Sequence, residues 1–372
     1  MSDLIVWGGA ASDGTPLDVA IADGLIAESS GGATFDATGL TVVPGLIDLQ
    51  VNGGIGVDFT AEPTRLWEVA AELPRFGVTA FVPTVITSSP EARETALATL
   101  AGGPPDGWAG AIPLGLHFEG PMIAPARKGA HPAQWLVPPS SDVVAGWTRE
   151  AGVLVVTIAP ELPGALEVIR TLVANDVIVS VGHTEATAGQ VLDAVAAGAR
   201  LTTHLGNAME PFLAREPGPI GAALGGDELV AGLITDGFHL DALFVSAAWR
   251  GLGPDRFLTV TDTTAALGLP DGMSRLGDQH VIVADGTVRL ADGTLAGSAA
   301  SLPQCLRFLM SSTGCSLPEA IGTVTATPAR VVGDAARGTL TPGARGDLTL
   351  LDDDLEVVAT VVAGTVVYGE FR

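Results

Sequence analysis

Eight apolar, strand-like runs alternate with helical stretches along the middle of the chain, and this pattern constrains the fold more than any other feature. The runs cover residues 42–49, 78–83, 112–118, 153–159, 177–181, 200–204, 229–235 and 257–261. Helical patterns lie between several of them, at 67–75, 165–174 and 188–197. Runs that are apolar throughout are typical of parallel strands buried on both faces. Eight such units predict an α/β fold with a (β/α)8 TIM-like barrel.

The two ends of the chain have a different pattern. Short strand-like pieces separated by Gly and Asp occur before residue 44 and again from residue 346 to residue 368. We therefore expect the ends to pair as one small β-sandwich domain built from residues 1–44 and 337–372. The catalytic barrel domain is expected to cover residues 45–336. A chain of 372 residues is too long for one ordinary compact domain unless it is a barrel.

Charge and composition exclude several classes of partner. The formal net charge of −24 disfavours nucleic acid and anionic membrane surfaces, because both need a basic footprint. The longest apolar stretches are far shorter than the ~20 residues that cross a bilayer, and no signal-peptide pattern opens the chain. These observations predict a cytoplasmic protein that binds neither nucleic acid nor membrane. Cys305 and Cys315 form no metal-binding pair and are expected to be free thiols.

Metal-capable side chains follow several of the runs. Glu119 comes after the third run, His183 after the fifth, His204 after the sixth and Asp262 after the eighth. In a barrel these strand ends share one rim, so the side chains converge. Two imidazoles and one carboxylate leave a position open for water, as in catalytic zinc sites. Water bound there falls in pKa towards about 7, and Asp262 is expected to take its proton.

Each of these residues alone has a simpler explanation. A single histidine such as His183 is commonly a hydrogen-bonded core residue. Glu119 and Asp262 are residue types that interact with helix N-termini, and Asp is a preferred cap. The chain has only six histidines, however, and four of them (His117, His183, His204 and His239) fall at or near the predicted rim. Core packing explains that shared location poorly, so the pattern favours a functional site.

A series of motifs over essentially the whole chain resembles the N-acetylglucosamine-6-phosphate deacetylases of the amidohydrolase superfamily. In chain order the motifs are PGLID (44–48), HFEGP (117–121), KGAH (128–131), GHT (182–184), THLGNAM (203–209), REPG (215–218), DGFH (236–239), TD (261–262) and GTLAGS (293–298). The resemblance implies a metal-dependent hydrolase that removes acetate from N-acetyl-D-glucosamine 6-phosphate, in amino-sugar catabolism or cell-wall recycling. It also implies a TIM-like metal-dependent hydrolase barrel.

The resemblance also assigns roles to individual residues. Glu119, His183 and His204 match the family's ligands for one divalent metal. This donor set suits zinc, iron or manganese. Asp262 matches the catalytic acid and base. The residues that match the substrate site are Ala130, His131, which helps to polarise the amide carbonyl, Asn207, the backbone at Ala208, His239 and Arg215. The family supplies the phosphate-binding arginine from the neighbouring subunit, so Arg215 implies a homodimer.

The sequence departs from the wider superfamily in informative places. Many amidohydrolases carry His-X-His at the end of strand one, but Gln50 and Asn52 occupy those positions, and amides are poor zinc ligands. This argues against a second metal. The fourth run ends IAPE, and Lys128 is the only lysine in the chain, so a metal-bridging carbamylated lysine has no match. Gly206 replaces a larger, often aromatic residue, and Thr263 replaces a small alanine; both are expected near the site.

Two alternative functions remain open from the sequence. An amidohydrolase acting on N-acetylgalactosamine 6-phosphate, or on a non-sugar amide, would use the same metal and base. A non-catalytic sugar-phosphate sensor would keep Arg215 and His239 but lose Asp262 or a metal ligand. All of these residues are present, which favours the enzyme.

Overall fold

The computed structural model of the chain describes residues 3–370 and consists of a barrel and three further sheets. The strands are β1 (Leu4–Ala10), β2 (Pro16–Ala22), β3 (Leu25–Ala27), β4 (Ala33–Asp36), β5 (Thr41–Pro44), β6 (Leu46–Val51), β7 (Gly53–Gly54), β8 (Val57–Asp58), β9 (Val78–Ile86), β10 (Ile112–Pro113), β11 (Leu116–Glu119), β12 (Val153–Ile158), β13 (Ile178–Val181), β14 (Leu201–Thr202), β15 (Val230–Ile234), β16 (Phe257–Val260), β17 (Gly272–Leu276), β18 (Gln279–Ala284), β19 (Thr287–Arg289), β20 (Leu295–Ser298), β21 (Leu348–Leu351), β22 (Val357–Val362) and β23 (Thr365–Tyr368).

The helices lie mainly between the barrel strands. They are α1 (Leu66–Glu72), α2 (Pro90–Ala101), α3 (Ala165–Ala174), α4 (Ala188–Ala196), α5 (Gly218–Gly225), α6 (Ala242–Leu252), α7 (Leu302–Thr313), α8 (Leu317–Gly322) and α9 (Ala326–Val332). Short 3-10 helices cover Pro63–Arg65, Leu73–Phe76, Pro125–Arg127 and Ala133–Trp135. In the part of the chain described here, no helix is long and apolar enough to span a bilayer.

Eight parallel strands form a nearly closed barrel, in the order β6, β9, β11, β12, β13, β14, β15 and β16. β16 returns to β6 through contacts just beyond its end. The Asp262 N–H donates to the Gln50 carbonyl at 3.0 Å, and Val51 forms a parallel bridge with Thr263. The predicted barrel is confirmed, and each of the eight apolar runs supplies one of its strands.

The first run divides between two sheets. β5 pairs with β21, whereas β6 pairs with β9 in the barrel. The chain changes sheets at Gly45, where an added Cβ would lie 2.2 Å from the Thr79 hydroxyl oxygen. Glycine is therefore required where the two sheets meet, and an uninterrupted apolar run does not reveal this change of partner.

Both chain ends build one eight-stranded sheet, which we call the end sheet (β1–β5 and β21–β23). Its core contains Val6, Ile21, Phe35, Leu348 and Val361, and is separate from the barrel core. The expected small β-sandwich domain from both chain ends is confirmed as a separate strand-rich sheet. The domain boundaries at residues 44 and 337 stay a prediction.

A four-stranded antiparallel sheet follows the eighth barrel strand; we call it the cover sheet (β17–β20). The sequence analysis did not predict it, although β18 alternates exposed and buried residues as a one-sided strand does. Its buried face contains Leu276, Val281, Val283 and Ala296. The cover sheet brings Leu276 and Ala296 to the cavity at the barrel rim.

Candidate active site

Three metal-capable side chains meet at the C-terminal ends of the barrel strands. The nearest Glu119 carboxylate oxygen lies 3.1 Å from His183 Nε2 and 2.9 Å from His204 Nε2, and the two imidazole nitrogens are 3.1 Å apart. All three residues are buried. Zinc bonds of about 2.0–2.1 Å place tetrahedral ligand atoms about 3.3 Å apart. The donor atoms therefore have the type and spacing that a tetrahedral divalent metal requires, with one position left over.

Neighbouring groups orient these side chains. His183 Nδ1 donates to the Arg127 carbonyl at 2.7 Å, so its proton lies on Nδ1 and the Nε2 lone pair faces the cluster. Burial raises the pKa of Glu119, but the adjacent His183 and His204 outweigh it and hold that pKa well below its usual range. Glu119 is therefore ionised at neutral pH, as a metal ligand must be.

Asp262 lies beside this cluster, and two amide side chains donate to one of its oxygens. Gln50 Nε2 is 2.9 Å and Asn52 Nδ2 is 2.7 Å from Asp262 Oδ1. Gln50 Nε2 also lies 3.3 Å from Glu119, so one amide group bridges the two carboxylates. Burial, followed by the negative charge of Glu119, raises the pKa of Asp262 to about 6. A carboxyl group with that pKa both accepts and releases protons near neutral pH.

The backbone is strained at the same positions. Four non-glycine residues of the site have positive φ: His183 (48°), His204 (31°), Ala208 (51°) and Asp262 (51°). Non-glycine residues rarely adopt this conformation, and it persists only where the surrounding structure imposes it. The strain thus coincides with the residues that the motifs singled out.

His131 faces the same cavity from the loop after β11. Its Nδ1 lies 2.8 Å from the Thr87 hydroxyl oxygen and 3.4 Å from the Thr87 backbone nitrogen, and its Nε2 lies 3.9 Å from Glu119. Burial, with a further effect from His183, holds the pKa of His131 well below its ordinary value. The ring is neutral at pH 7 and has a single N–H to donate.

The cavity has a volume of about 320 Å³ and contains most of the predicted substrate residues. Its lining includes Glu119, Ala130, His131, His183, His204, Asn207, Ala208, His239 and Asp262. His239 Nδ1 donates to Asp236 at 2.7 Å, which leaves Nε2 for the cavity. Burial raises the pKa of Asp236, but the hydrogen bond from His239 outweighs it and lowers that pKa below its ordinary value. Asp236 is therefore ionised.

Arg215 is the one predicted site residue outside this cavity. It lies in an exposed loop with Phe212 and Leu213, which are 56% and 53% exposed, and borders a separate groove beside Glu185 and Glu210. Among the described residues it has no ion pair or hydrogen bond. Arg215 therefore lies away from the cavity of its own chain.

Comparisons with known proteins agree with this geometry. The model of the amidohydrolase family matches residues 41–367. The chain belongs to the amidohydrolase family. The human N-acetylglucosamine-6-phosphate deacetylase is 39% identical over 353 residues, which cover 90% of this chain and 85% of that protein. An N-acetylgalactosamine-6-phosphate deacetylase from a Shewanella species is 35% identical over 347 residues, or 90% of this chain and 85% of its own length.

Solved structures of amidohydrolases with the deacetylase name are similar over the whole fold. An aspartate-to-alanine mutant of the N-acetyl-D-glucosamine-6-phosphate deacetylase from Mycobacterium smegmatis, in complex with N-acetyl-D-glucosamine 6-phosphate, has a TM-score of 0.89 and 33% identity. The match covers 99% of this chain and 100% of that one. The resemblance drawn from the motifs is thereby confirmed.

Two positions depart from the usual pattern of these amidohydrolases, and the structure explains one of them. Gly206 has φ +94°, and an added Cβ would lie 2.9 Å from the Phe244 ring. An aromatic side chain from α6 thus occupies the space that a larger residue at 206 would need. Thr263 is buried against Ser298 and, like Gly206, does not line the cavity. Their effect on the substrate stays a prediction.

Sequence reasoning missed several residues of this amidohydrolase site. The sequence identifies Gln50 and Asn52 only as poor zinc ligands, whereas in the structure both donate to Asp262. Arg127 lines the cavity and forms an ion pair with Glu210. Its position directly before the KGAH motif is a sequence signal that could have identified it. The contribution of the cover sheet to the cavity had no comparable local signal.

Proposed function

We propose that this amidohydrolase cleaves the N-acetyl amide of N-acetyl-D-glucosamine 6-phosphate and releases D-glucosamine 6-phosphate and acetate. The observation that carries the proposal is the convergence of Glu119, His183 and His204 at metal-ligand spacing beside Asp262, a buried carboxyl group whose pKa is raised to about 6. That combination suits hydrolysis of an amide, because a poor leaving group needs a proton as the bond breaks.

Glu119, His183 and His204 would hold one divalent metal, for which we propose zinc, with iron or manganese as alternatives. When bound, the metal supplies Lewis-acid activation of the water and of the amide carbonyl. Asp262 Oδ1 is held by two amide donors, so Oδ2 is the oxygen that takes the proton from the attacking water. Asp262 then delivers this proton to the departing nitrogen.

His131 would assist at the carbonyl oxygen. We assign the single proton of the neutral ring to Nε2, because the Thr87 backbone N–H donates to Nδ1 at 3.4 Å. A donor aimed at the oxygen that gains charge lowers the barrier without transferring its proton. His131 is therefore assigned to polarise the carbonyl, while Asp262 carries the proton.

The sugar phosphate is assigned to other groups that line the cavity. His239 Nε2, the Asn207 side chain and the backbone at Ala130 and Ala208 are the proposed contacts.

In addition, we propose a homodimer in which Arg215 reaches the cavity of the neighbouring subunit. Its exposure, its place outside its own cavity and the acidity of the chain support this assignment, because an anionic sugar needs a local cation. The cytoplasmic location stays a prediction.

N-acetylgalactosamine 6-phosphate is a second candidate substrate, since a relative with that name is 35% identical to this chain. The two sugars differ only in the orientation of one hydroxyl group, and the catalytic groups would act on both in the same way. Comparing kcat/KM for the two sugar phosphates decides between them.

The testing experiment measures acetate and free amine released from N-acetylglucosamine 6-phosphate by the purified protein, with and without a chelator. The unphosphorylated sugar and the galacto epimer are assayed in parallel. We expect release that requires both the phosphate and the metal. If the metal-loaded protein releases no acetate or amine from any of the three sugars, the proposed reaction is overturned.

A further inference from the structure

A continuous chain of buried polar side chains crosses the barrel interior from strand to strand; we call it the hydroxyl chain. Its members are Thr84, His117, Thr157, Thr203 and Ser180. His117 Nδ1 lies 3.1 Å from the Thr84 hydroxyl and its Nε2 lies 2.7 Å from the Thr157 hydroxyl. Thr203 joins Thr157 and Ser180 at 2.6 Å each. All five residues are at most 3% exposed.

The hydroxyl chain forms the layer between the apolar barrel core and the metal-capable residues. Because every second residue of a strand faces inward, Val155 and Leu201 of the core precede Thr157 and Thr203 by two positions. Going the other way, His117 precedes Glu119 by two positions on β11. The polar layer thus lies where the inward residues change from apolar to metal-binding.

Gly182 makes the contacts in the middle of the hydroxyl chain possible. An added Cβ at this position would lie 2.7 Å from Thr203 Cβ and 2.9 Å from Thr157 Cγ2. Any larger residue would push those two side chains apart. The glycine that precedes His183 in the GHT motif therefore serves the layer below the histidine.

We propose that the hydroxyl chain sets the mutual spacing of Glu119, His183 and His204 and thereby determines metal affinity. Its members are positioning residues, because they touch neither the substrate cavity nor the metal-facing atoms. Separating any two of them would leave buried hydroxyl groups without partners, which is costly in an apolar interior. The strands that carry the three ligands are thus locked at one relative height. The inference rests on the metal site of the proposed function.

A purely structural role would give a different result from a positioning role. If the chain only stabilised the barrel, removing a hydroxyl group would lower the melting temperature and leave the affinity of the folded protein for metal unchanged. If it positions the ligands, metal affinity falls even in variants that remain fully folded.

The test compares Thr157→Val with the control Thr202→Val in the full chain. Thr157 makes two hydrogen bonds and is not adjacent in sequence to a metal ligand, whereas the equally buried Thr202 hydroxyl has no partner among the described residues. Zinc affinity is measured by competition with a chelator. We expect Thr157→Val to raise the zinc Kd by about 10–100-fold, the usual effect of losing a group that supports a metal ligand. Thr157→Ser, which keeps the hydroxyl group, and Thr202→Val should change it by less than about threefold.

A spectroscopic readout supplements the affinity. The visible spectrum of the cobalt(II)-loaded protein reports ligand geometry, and we expect it to change in Thr157→Val but not in Thr202→Val or Thr157→Ser. Equal zinc affinity and equal spectra in the two valine variants would overturn the proposal. If Thr157→Val does not fold, Ser180→Ala, which removes only the last hydroxyl group of the chain, is judged by the same criteria. None of these readouts depends on deacetylation, so a wrong substrate assignment would leave the result intact.

Discussion

The active site has two sides that are built from different chemical groups. On one side, imidazole nitrogens of His183 and His204 converge with Glu119 at 2.9–3.1 Å. On the other, the amides of Gln50 and Asn52 converge on Asp262 at 2.7–2.9 Å. We call them the imidazole side and the amide side. Imidazoles present lone pairs to a cation, whereas amide nitrogens present only hydrogens, which a carboxylate accepts.

This difference supports the proposal that the site binds a single metal. The amides occupy the positions where many amidohydrolases carry His-X-His, and there they donate hydrogen bonds to Asp262. Asp262 is consequently held by hydrogen bonds and left with an unoccupied oxygen. We propose that one side of the site binds the metal and that the other transfers the proton, and the following predictions test that division.

The largest effect is expected from Asp262→Asn. The amide cannot accept and return a proton, so turnover should fall by about 10⁴-fold, the upper range for general acid and base catalysis. Zinc affinity should stay within about threefold of the wild type, because the imidazole side is intact. Steady-state kinetics and chelator competition measure the two effects. Asp241→Asn, which changes the cap of α6, is the matched control. Near-normal turnover in Asp262→Asn would end the assignment.

His183→Ala should give the next largest effect, which is on zinc affinity rather than on proton transfer. Removing one of three protein ligands is expected to weaken zinc binding by about 10³-fold, since a tightly bound zinc ion gains several kcal/mol from each ligand. Activity should return partly when zinc is added in excess. His280→Ala, at an exposed position on the cover sheet, is the control and should bind zinc normally. Undiminished zinc affinity in His183→Ala would contradict the division into two sides.

Asp48 supports the amide side through hydrogen bonds with Thr261 and Gln50. Asp48→Asn tests this support through the pH dependence of stability. Asp48 accepts hydrogen bonds from the Thr261 hydroxyl at 2.6 Å and from the Gln50 backbone at 3.2 Å. Burial, only partly offset by the Thr261 hydrogen bond, raises its pKa from 3.8 to about 7. Between these values the folded state binds a proton that the unfolded state has released. The free energy of unfolding therefore falls as pH rises through this window, by up to about 4 kcal/mol.

The amide introduced by Asp48→Asn does not titrate, so the variant should lack this pH-dependent loss of stability. Melting temperatures of both proteins at saturating metal, from pH 5 to pH 8, measure the effect. The wild type should lose stability relative to Asp48→Asn as pH rises. Parallel pH profiles would show that Asp48 has an ordinary pKa in the folded protein.

The smallest effect is expected from Asn52→Leu, which removes one of the two amide donors to the Asp262 carboxylate. Asn52 Nδ2 makes this contact, and Asn52 Oδ1 has no partner within residues 3–370. Losing a donor to the ionised form raises the pKa of Asp262 above its value of about 6. The acidic limb of kcat/KM should move to higher pH, with a loss of about tenfold at pH 6 that shrinks at pH 8. An unchanged acidic limb would mean that the amide side does not tune the proton carrier.

Much of the fold could be predicted because its signals are local. The apolar run at 153–159 matches β12 (Val153–Ile158), and the predicted helix at 165–174 matches α3. A strand buried on both faces is recognisable from its own residues, as is an amphipathic helix. The change of sheet at Gly45 and the cover sheet were harder to predict from the sequence. Both depend on the surface against which the residues pack.

Within the site, the sequence by itself determined which residue types stand at the strand ends. Glu119, His183, His204 and Asp262 could be named because each follows an apolar run, and the rim position of such residues is a consequence of parallel strand order. Tertiary structure alone decided what those side chains contact. The Gln50 bridge to Asp262 joins positions 212 residues apart, and the hydroxyl chain links neighbouring barrel strands through contacts of 2.6–3.1 Å. Contacts of that kind depend on barrel closure and strand register, which no local stretch of sequence encodes.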